Sequence, residues 1–343
     1  MASVLLIDVG STSIKYRHCS GAGREEGSLP FPPPQRADGY YFEADAVQIA
    51  ETVKGILRAY PARRALLSVQ MHGHVLSLRG DTYVSWRDRR SLRRGAFSRF
   101  EERYASFFTA RSGTASKPNL CVYSLLEDLE SGLPVGGEVF SLGSYIVHSL
   151  TGRNISHVTD LCALGFYTAD AAPNEVLLQV LPYRVKLPRA VAEPQTVGEF
   201  EGCEIVVPFG DQQCSVAGVP EGALVLNIGT AAQLCCILPA GTSGEFESRP
   251  FFGGRTLCTR SGLPGGAALA AGGVDRARWL REYAAALAAF PRAGRDVWCL
   301  GGAFEHYGEW LFGLLRQLGC VPHRRFATAL DGLELLNERF FHG

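Results

Sequence analysis

Glycine turns follow apolar segments at three places along this sequence. The first two also contain hydroxyl residues, and charged side chains accompany the first. The residues are Asp8, Gly10, Ser11, Thr12 and Lys15, then Gly229 and Thr230, and finally Gly301, Gly302 and Ala303. Phosphate oxygens need several N–H donors at close range, and glycine lets the main chain come near enough to supply them. Each turn alone is compatible with an ordinary tight turn, but their order and combination indicate a nucleotide held between two domains.

Two common nucleotide-binding patterns are missing from the sequence. The pattern G-x-x-x-x-G-K-[ST] does not occur, which excludes a P-loop. The first apolar run is not followed by G-x-G-x-x-G, which argues against a dinucleotide-binding domain. The predicted nucleotide site must therefore be of another type.

The composition is that of a globular protein without a strong electrostatic preference. The chain has 343 residues, with 34 Lys and Arg against 34 Asp and Glu, and 46% of its residues are apolar. At about 150 residues per domain, this length suggests two domains. The balanced charge argues against nucleic acid or an anionic membrane as a partner. No apolar run approaches the ~20 residues of a membrane span and the first residues form no signal sequence, so we expect a cytoplasmic protein.

The ten cysteines form no C-x-x-C pair and no tight cluster, so the spacing of a metal site is absent. Several lie inside apolar segments, as Cys235 and Cys236 do. We therefore expect them to act as small hydrophobic residues in a reduced protein.

The spacing of apolar residues predicts a mixed α/β chain with a weak internal repeat. A hairpin with strands at 4–9 and 14–17 opens the first half, and a second hairpin at 223–228 and 233–238 resembles it. Further strands are predicted at 65–71, 204–209 and 296–300, and helices at 43–60, 139–150, 275–290, 308–318 and 328–341. Residues 80–135 are predicted to be irregular.

Six segments resemble, in order, the motifs of the FGGY carbohydrate kinases. They are Asp8–Lys15, Gln70–Gly73, Trp86–Arg89, Gly210–Gln213, Gly229–Thr230 and Gly301–Gly302. The resemblance runs from residue 4 to about residue 340. It implies an α/β, actin-like ATPase (ribonuclease H-like) fold with two domains around a nucleotide and sugar cleft. The N-terminal domain, 1–207, would lie on the sugar side and the C-terminal domain, 208–343, on the ATP side.

Within this family, Gln70–Gly73 is similar to the ketose kinases, xylulokinase and sedoheptulokinase, whereas glycerol kinase has an arginine and a glutamate there. The run Asp211–Val216 with residues 226–234 is most similar to sedoheptulokinase, although Asp-Gln-Gln also occurs in glycerol kinase. The resemblance implies transfer of the γ-phosphoryl group of ATP to a terminal hydroxyl of a ketose, with sedoheptulose and xylulose the best candidates. A kinase of another polyol or sugar, such as glycerol or ribulose, stays open.

This reaction needs a group that accepts the proton of the sugar hydroxyl, and an aspartate at a strand end can do so. Asp211 is the expected general base, with an ordinary turn or helix cap as the alternative. Asp8 would help to position Mg²⁺ through water, because Mg²⁺ commonly keeps several waters. By resemblance, the first turn and Lys15 would contact the outer phosphates, Gly229 and Thr230 would approach from the other domain, and Gly301, Gly302 and Ala303 would line the adenosine.

The resemblance also implies which residues contact the sugar: several in the first domain, together with the general base and its neighbour. The expected residues are Met71, His72, Trp86, Asp88, Arg89, Asp211 and Gln212. Asp88 and Arg89 would form a charged pair that orders their loop. The alternatives are a structural histidine at 72 and a solvated basic face for the other residues of 87–94. Thr159-Asp160 also resembles a family motif and is interpreted as structural.

The chain departs from the family by being shorter. The missing length falls mainly between Gly273 and Gly301, where a single helix replaces a larger helical subdomain that borders adenine. Gly301-Gly302-Ala303 also lacks a third glycine common at this point. These departures leave open a sugar-binding pseudokinase or regulator, and a homodimer also stays open.

Overall fold

The computed structural model describes residues 3–229, 232–242, 244–271, 275–290, 293–324 and 328–341. Within them the chain forms two compact units, one from Met1–Ser215 with Ala329–Gly343 and the other from Val216–Thr328. This division differs from the expected boundary after residue 207, because Asp211 lies in the first unit and the end of the chain returns to it.

The first unit is a mixed α/β structure, as expected. Its strands are β1 (Val4–Val9), β2 (Ser13–Ser20), β3 (Gly23–Pro30), β4 (Arg36–Ala37), β5 (Phe42–Asp45), β6 (Arg64–Val69), β7 (His74–Leu76), β8 (Thr82–Val84), β9 (Val139–Ser141), β10 (Ile155–His157), β11 (Arg189–Val191), β12 (Thr196–Phe200), β13 (Cys203–Val206) and β14 (Phe209–Gly210). Its helices up to residue 216 are α1 (Ala46–Ala59), α2 (Ala96–Ser112), α3 (Cys121–Glu130), α4 (Leu142–Thr151), α5 (Val158–Leu161), α6 (Glu175–Val180) and α7 (Asp211–Val216).

A seven-stranded sheet forms the centre of this unit, in the order β12-β13-β6-β1-β2-β3, with β14 also paired to β6. Strand β1 is antiparallel to β2 and parallel to β6, and β6 is parallel to β14. Because parallel strands end at the same edge of a sheet, β1, β6 and β14 deliver the residues that follow them to one place. A five-stranded sheet, β4-β5-β8-β7-β9, accompanies it.

Local sequence accounts for the helix that follows β5. Helix α1 begins after Asp45, whose side chain accepts a hydrogen bond from the backbone N–H of Gln48 at 2.9 Å and so caps the first turn. Its apolar residues recur at helical spacing and are buried: Ala46, Ile49, Ala50, Val53, Ile56 and Leu57.

The second unit repeats the strand arrangement of the first. It contains β15 (Leu224–Ile228), β16 (Ala232–Pro239), β17 (Glu247–Phe251), β18 (Arg255–Leu263), β19 (Asp296–Leu300) and β20 (Val321–Arg324), with α8 (Gly266–Ala270), α9 (Arg276–Ala288) and α10 (Ala303–Gln317). The sheet order is β17-β18-β16-β15-β19-β20. Strand β15 is antiparallel to β16 and parallel to β19, as β1 is to β2 and β6. The predicted internal repeat is therefore confirmed.

The C-terminal helix α11 (Ala329–Phe341) belongs to the first unit, where it contacts β1, β2 and β6. The buried Arg17 of β2 pairs with Asp331 at 2.9 Å and with Glu334 at 2.8 Å. Apolar side chains of the helix, including Leu330 and Leu333, are buried. An ionic contact and an apolar face thus both attach α11 to the first sheet.

The prediction that residues 80–135 are irregular is wrong, because this segment contains α2 and α3. Charged residues interrupt the apolar pattern of α2, but aromatic residues lie at helical spacing within it. Phe100 packs edge-on against Phe108 and against Tyr123 of α3, with ring centroids 6.4 and 5.0 Å apart. This aromatic contact stabilises both helices.

Two other boundaries were shifted. The helix predicted at 139–150 begins only at Leu142, since 139–141 form β9 and Ser141 caps the helix. The helix predicted at 308–318 begins at Ala303. All ten cysteines are free and nine are buried, which fits the interpretation as small hydrophobic residues. No helix among the described residues is long and apolar enough to cross a membrane.

Candidate functional site

The strand ends of the first sheet bring the sequence-predicted catalytic residues to one edge. Asp8 of β1 lies opposite Ser68 of β6, and Phe209 of β14 lies opposite Ser68 on the other side. Asp211 directly follows Gly210, the last residue of β14. Gln70 continues the pairing beyond β6, since its backbone N–H donates to the carbonyl of Val9 at 2.9 Å.

Asp8 lies in a protein environment that disfavours its charge. Burial raises the pKa of Asp8, and a hydrogen bond from Ser68 and the charge of Lys15 partly offset this effect. Ser68 Oγ donates to Oδ1 of Asp8 at 2.9 Å. Within the described part of the chain no group donates to Oδ2. Oδ2 is therefore available to a hydrated cation, and a bound cation would favour the charged carboxylate.

The glycine turn after β1 presents its hydroxyl residues outwards. The N–H of Gly10 donates to the carbonyl of Ser13 at 3.1 Å, which closes the turn. Ser11, Thr12 and Lys15 are exposed. The side-chain amide of Gln70 donates to the carbonyl of Gly10 at 3.1 Å and so ties the turn to the end of β6. This arrangement is suited to binding an anion beside Asp8.

Asp211 is the first residue of α7, and its carboxylate, like that of Asp8, acts electrostatically on Cys214. Oδ1 of Asp211 accepts a hydrogen bond from the backbone N–H of Gln212 at 2.8 Å. Burial raises the pKa of the Cys214 thiol well above its usual value, and the charges of Asp8 and Asp211 raise it further. Both carboxylates thus lie within electrostatic reach of one buried thiol.

The backbone just before Asp211 is closely packed. A Cβ added to Gly210 would lie 2.7 Å from the carbonyl oxygen of Thr159 and 2.9 Å from Sδ of Met71. Only glycine fits between these groups, which fixes the path of the chain into Asp211. Met71 is itself buried together with Cys162 and Ala163. The structure therefore gives Met71 a packing role, and its contact with substrate stays a prediction.

His72 occupies the turn after β6 in an unusual backbone conformation. Its φ is 70°, in the left-handed region that non-glycine residues seldom adopt, and its side chain is half-buried. Strain of this kind is concentrated at binding sites and catalytic sites. Gln212 is buried in α7. The sugar contacts expected of His72 and Gln212 stay predictions.

The Trp86 loop is organised by Arg90 rather than by Arg89. Asp88 is buried and accepts hydrogen bonds from the N–H of Phe42 at 2.8 Å and from Nε of Arg90 at 2.9 Å. Arg89 is exposed, whereas the side chain of Arg90 is fully buried. The charged pair in this loop is therefore Asp88–Arg90 and not the expected Asp88–Arg89. Asp88 and Arg90 also match the W-x-D-x-R spacing when it is counted from Trp86.

Arg90 is the centre of a buried ionic cluster. Besides Asp88, Arg90 pairs with Glu43 at 2.6 Å and with Asp128 at 3.0 Å. Arg79 also pairs with Glu43 and with Asp128. A solvated basic face is therefore the wrong interpretation for Arg90, although Arg87, Arg89, Arg93 and Arg94 are exposed. Trp86 keeps 41% of its surface exposed, and its carbonyl accepts a hydrogen bond from Asn119.

The glycine turns of the second unit also share one sheet edge. Gly229 follows β15 and Gly301 follows β19, and these strands are parallel neighbours. Gly301 has φ 98°, and Gly302 and the buried Ala303 begin α10. The carbonyl of Gly229 accepts a hydrogen bond from the N–H of Gly266 at 2.7 Å. Thr230 lies outside the described residues.

The sequence interpretation gave Thr159-Asp160 only a structural role, yet this segment touches the backbone beside Asp211. Thr159 Oγ1 accepts a hydrogen bond from the N–H of Gly210 at 3.1 Å. Asp160 is buried and accepts hydrogen bonds from Ser141 and Ser156 on one oxygen. Burial raises the pKa of Asp160 to about 6. No sequence signal identifies this contact, because Thr159 and Gly210 lie 51 positions apart.

The fold that these two repeated sheets define is that of the actin-like ATPases. Xylulose kinase from Lactobacillus acidophilus superposes with a TM-score of 0.80 at 14% identity, over 98% of this chain and 89% of that one. Gluconate kinase from the same organism gives 0.78 at 13% identity, over 98% and 89%. Glycerol kinase from Plasmodium falciparum, solved with ADP, gives 0.74 at 12% identity, over 98% and 88%.

The expected fold class is thus confirmed. At these identities the likeness establishes the fold alone. No protein-family profile and no curated protein sequence matches the chain.

Proposed function

We propose that this chain is an ATP-dependent carbohydrate kinase that transfers the γ-phosphoryl group to a terminal hydroxyl of a ketose. The observation that carries the proposal is the placement of Asp8 and Asp211. Asp8 lies near the end of β1 and Asp211 directly follows β14, the two strands that flank β6 in parallel, and both carboxylates lie within electrostatic reach of the Cys214 thiol. One carboxylate can therefore serve the phosphate side of a reaction centre and the other the hydroxyl side.

In the proposed reaction Asp211 acts as the general base and accepts the proton of the attacking hydroxyl. Asp8 would hold hydrated Mg²⁺ through the carboxylate oxygen that receives no hydrogen bond from the described residues. When bound, Mg²⁺ neutralises charge on the phosphates. The turn at Gly10 and the exposed Lys15 would donate hydrogen bonds to the outer phosphate oxygens.

The second unit would contribute its own glycine turns to nucleotide binding. Gly229 and Gly301 follow parallel strands and leave their backbone groups accessible to a ligand without a side chain in the way. We assign Gly229 and Thr230 to the phosphates, and Gly301, Gly302 and Ala303 to the adenosine. Ala303 would act through its backbone, since its side chain is buried.

A ketose acceptor, sedoheptulose or xylulose, is supported by the turn Gln70–Gly73. His72 follows β6, whose end lies at the same sheet edge as Asp211, and its backbone is strained. Trp86 would border the sugar. The structural neighbours include kinases named for gluconate and glycerol, so a kinase of another polyol or sugar is the second candidate.

The deciding experiment measures sugar-dependent ADP release with Mg-ATP across ketoses, aldoses, gluconate and glycerol. Turnover on sedoheptulose or xylulose supports the proposal, and turnover on glycerol or gluconate alone replaces the ketose with the second candidate. A chelator should abolish the signal. Calorimetry with Mg-ATP tests the alternative of a sugar-binding pseudokinase, because a chain that binds no nucleotide at millimolar concentration is not a kinase.

A cytoplasmic location follows from the proposal, because ATP is supplied there. The only partner that the reaction requires is a small sugar. We propose no nucleic acid or membrane partner, and sedimentation of the purified chain would decide between a monomer and a homodimer.

A further inference from the structure

Three hydrogen bonds connect a distant loop to the residue that precedes Asp211. Nε2 of His157 lies 2.7 Å from the carbonyl oxygen of Ala192, and Nδ1 lies 2.9 Å from Oγ1 of Thr159. Oγ1 of Thr159 then accepts the N–H of Gly210 at 3.1 Å. His157 and Thr159 have no exposed surface, so water does not compete for these bonds.

The chemistry of the partners fixes the direction of each bond. The carbonyl of Ala192 can only accept, so Nε2 of His157 carries the proton and Nδ1 is an acceptor. The hydroxyl of Thr159 therefore donates to Nδ1, and its own oxygen accepts from Gly210. The backbone N–H of Thr159 also donates to Nδ1 at 3.2 Å, which holds the ring in the same orientation.

The imidazole remains neutral under ordinary conditions. Burial lowers the pKa of His157 to about 4. A protonated ring would turn Nδ1 into a donor, which would reverse its bond with the Thr159 hydroxyl and break the bond from the Thr159 backbone N–H. The three hydrogen bonds that run from Ala192 through His157 and Thr159 to Gly210, which we call the relay, are therefore intact at neutral pH.

The segment that receives this support is short. Strand β14 consists of Phe209 and Gly210 alone. The backbone N–H of His157 donates to the carbonyl of Pro208 at 3.2 Å. The imidazole ring of His157 packs against the ring of Phe209, with the two centroids 5.1 Å apart. His157 and Thr159 together thus hold the backbone from residue 208 to residue 210.

We infer that Thr159, oriented by His157, is a positioning residue for the carboxylate of Asp211. The inference rests on the proposed function, in which Asp211 accepts the proton of the substrate hydroxyl. A base displaced by about 1 Å can lose roughly 10²-fold in rate, because proton transfer requires close approach. The relay acts on the peptide that leads directly into Asp211.

The test compares Thr159→Val, which keeps the shape and deletes the hydroxyl, with Thr159→Ser, which keeps the hydroxyl. We expect kcat to fall about 10- to 100-fold in Thr159→Val with KM for ATP unchanged, and Thr159→Ser to restore most of it. Thr151→Val is the matched control, because Thr151 Oγ1 donates to a carbonyl within α4 at 2.8 Å and does not touch the site. An unchanged kcat in Thr159→Val, or an equal loss in Thr159→Ser, overturns the inference.

A second measurement separates this inference from the proposed function. Hydrogen exchange of the Gly210 amide reports the relay without any turnover. We expect exchange at least about tenfold faster in Thr159→Val than in the wild type and in Thr159→Ser. Equal exchange in all three overturns the relay even if the chain is a kinase. A wild type that phosphorylates no sugar overturns the proposed function, and the exchange rates still decide whether the relay holds Gly210.

Discussion

Gly332 of the C-terminal helix α11 lies directly against the carbonyl oxygen of Cys214 in α7. A Cβ at position 332 would overlap that oxygen, and it would also crowd the carbonyl carbon and Cα of Cys214. The two helices therefore meet backbone against backbone. Because α7 begins with Asp211, the last helix helps to hold the residue that we propose as the base.

We expect Gly332→Ala to destabilise the protein by at least about 2 kcal/mol, because the methyl group has no space without moving a helix. Gly55→Ala is the control. Nothing lies within 4 Å of a Cβ at Gly55 of α1, and alanine should stabilise that exposed helix position by about 0.5–1 kcal/mol. Urea unfolding of both variants measures the two effects. Equal stability of Gly332→Ala and the wild type would show that the helices are not in this close contact.

Removal of the Arg90 guanidinium should be severely destabilising, whereas the same change at its neighbour should not. Arg90→Met leaves the buried Asp88 without its cation and leaves the buried Asp128 with Arg79 alone, and we expect a loss of about 3–5 kcal/mol. Arg89 is exposed, so Arg89→Met should stay within about 0.5 kcal/mol of the wild type. Thermal unfolding of the pair checks this. If the two variants unfold alike, Arg90 does not organise the loop.

Asp211→Asn should fold normally and lose turnover, because an amide of the same size cannot accept the hydroxyl proton. We expect kcat to fall about 10²- to 10⁴-fold, with the unfolding temperature unchanged. Asp170→Asn, at an exposed loop position, is the control and should turn over as the wild type does. A near-normal rate in Asp211→Asn would mean that another group accepts the proton.

The buried neutral His157 predicts a loss of stability on acidification. Its pKa is lowered to about 4 in the folded protein from 6.5, so the unfolded chain binds the proton more readily between these values. The contribution of His157 to the free energy of unfolding is full above pH 6.5. It is lost as the pH falls towards 4, and the total loss is roughly 3 kcal/mol. His157→Gln should show a correspondingly flatter curve of unfolding free energy against pH. Parallel curves for the two proteins would contradict the lowered pKa.

The central strands of the two sheets are predictable from the sequence, because they are local apolar runs followed by glycine, whereas strands such as β3, β17 and β18 are not predicted. The strands Val4–Val9 and Leu224–Ile228 were each recognisable in this way, and so was the repeat that they define. Helix α2 is not predicted because dense charges interrupt its apolar pattern. Its aromatic residues are stabilised by contact with Tyr123 of α3, which the local sequence does not show. Long-range contacts of that kind leave little local signal.

In the candidate site, too, residues with a local sequence signal are predictable and those that depend on long-range contacts are not. Asp8 and Asp211 were identified because they follow strands, and the structure brings them to one edge. Arg90 was passed over in favour of Arg89, since neighbouring arginines look alike until burial separates them. The link from Thr159 to Gly210 joins residues 51 positions apart and has no signature in either segment.

The return of the chain to the first unit at Ala329 has a consequence for its biosynthesis. Strands β1, β2 and β6 leave the ribosome before the second unit, but the helix that covers them is made only after it. At about 5–20 residues per second, the interval between Ser215 and the end of α11 is roughly 6 to 25 s. During that interval the nascent first unit exposes an apolar surface while the whole second unit is synthesised, which makes the first unit a natural client for chaperones.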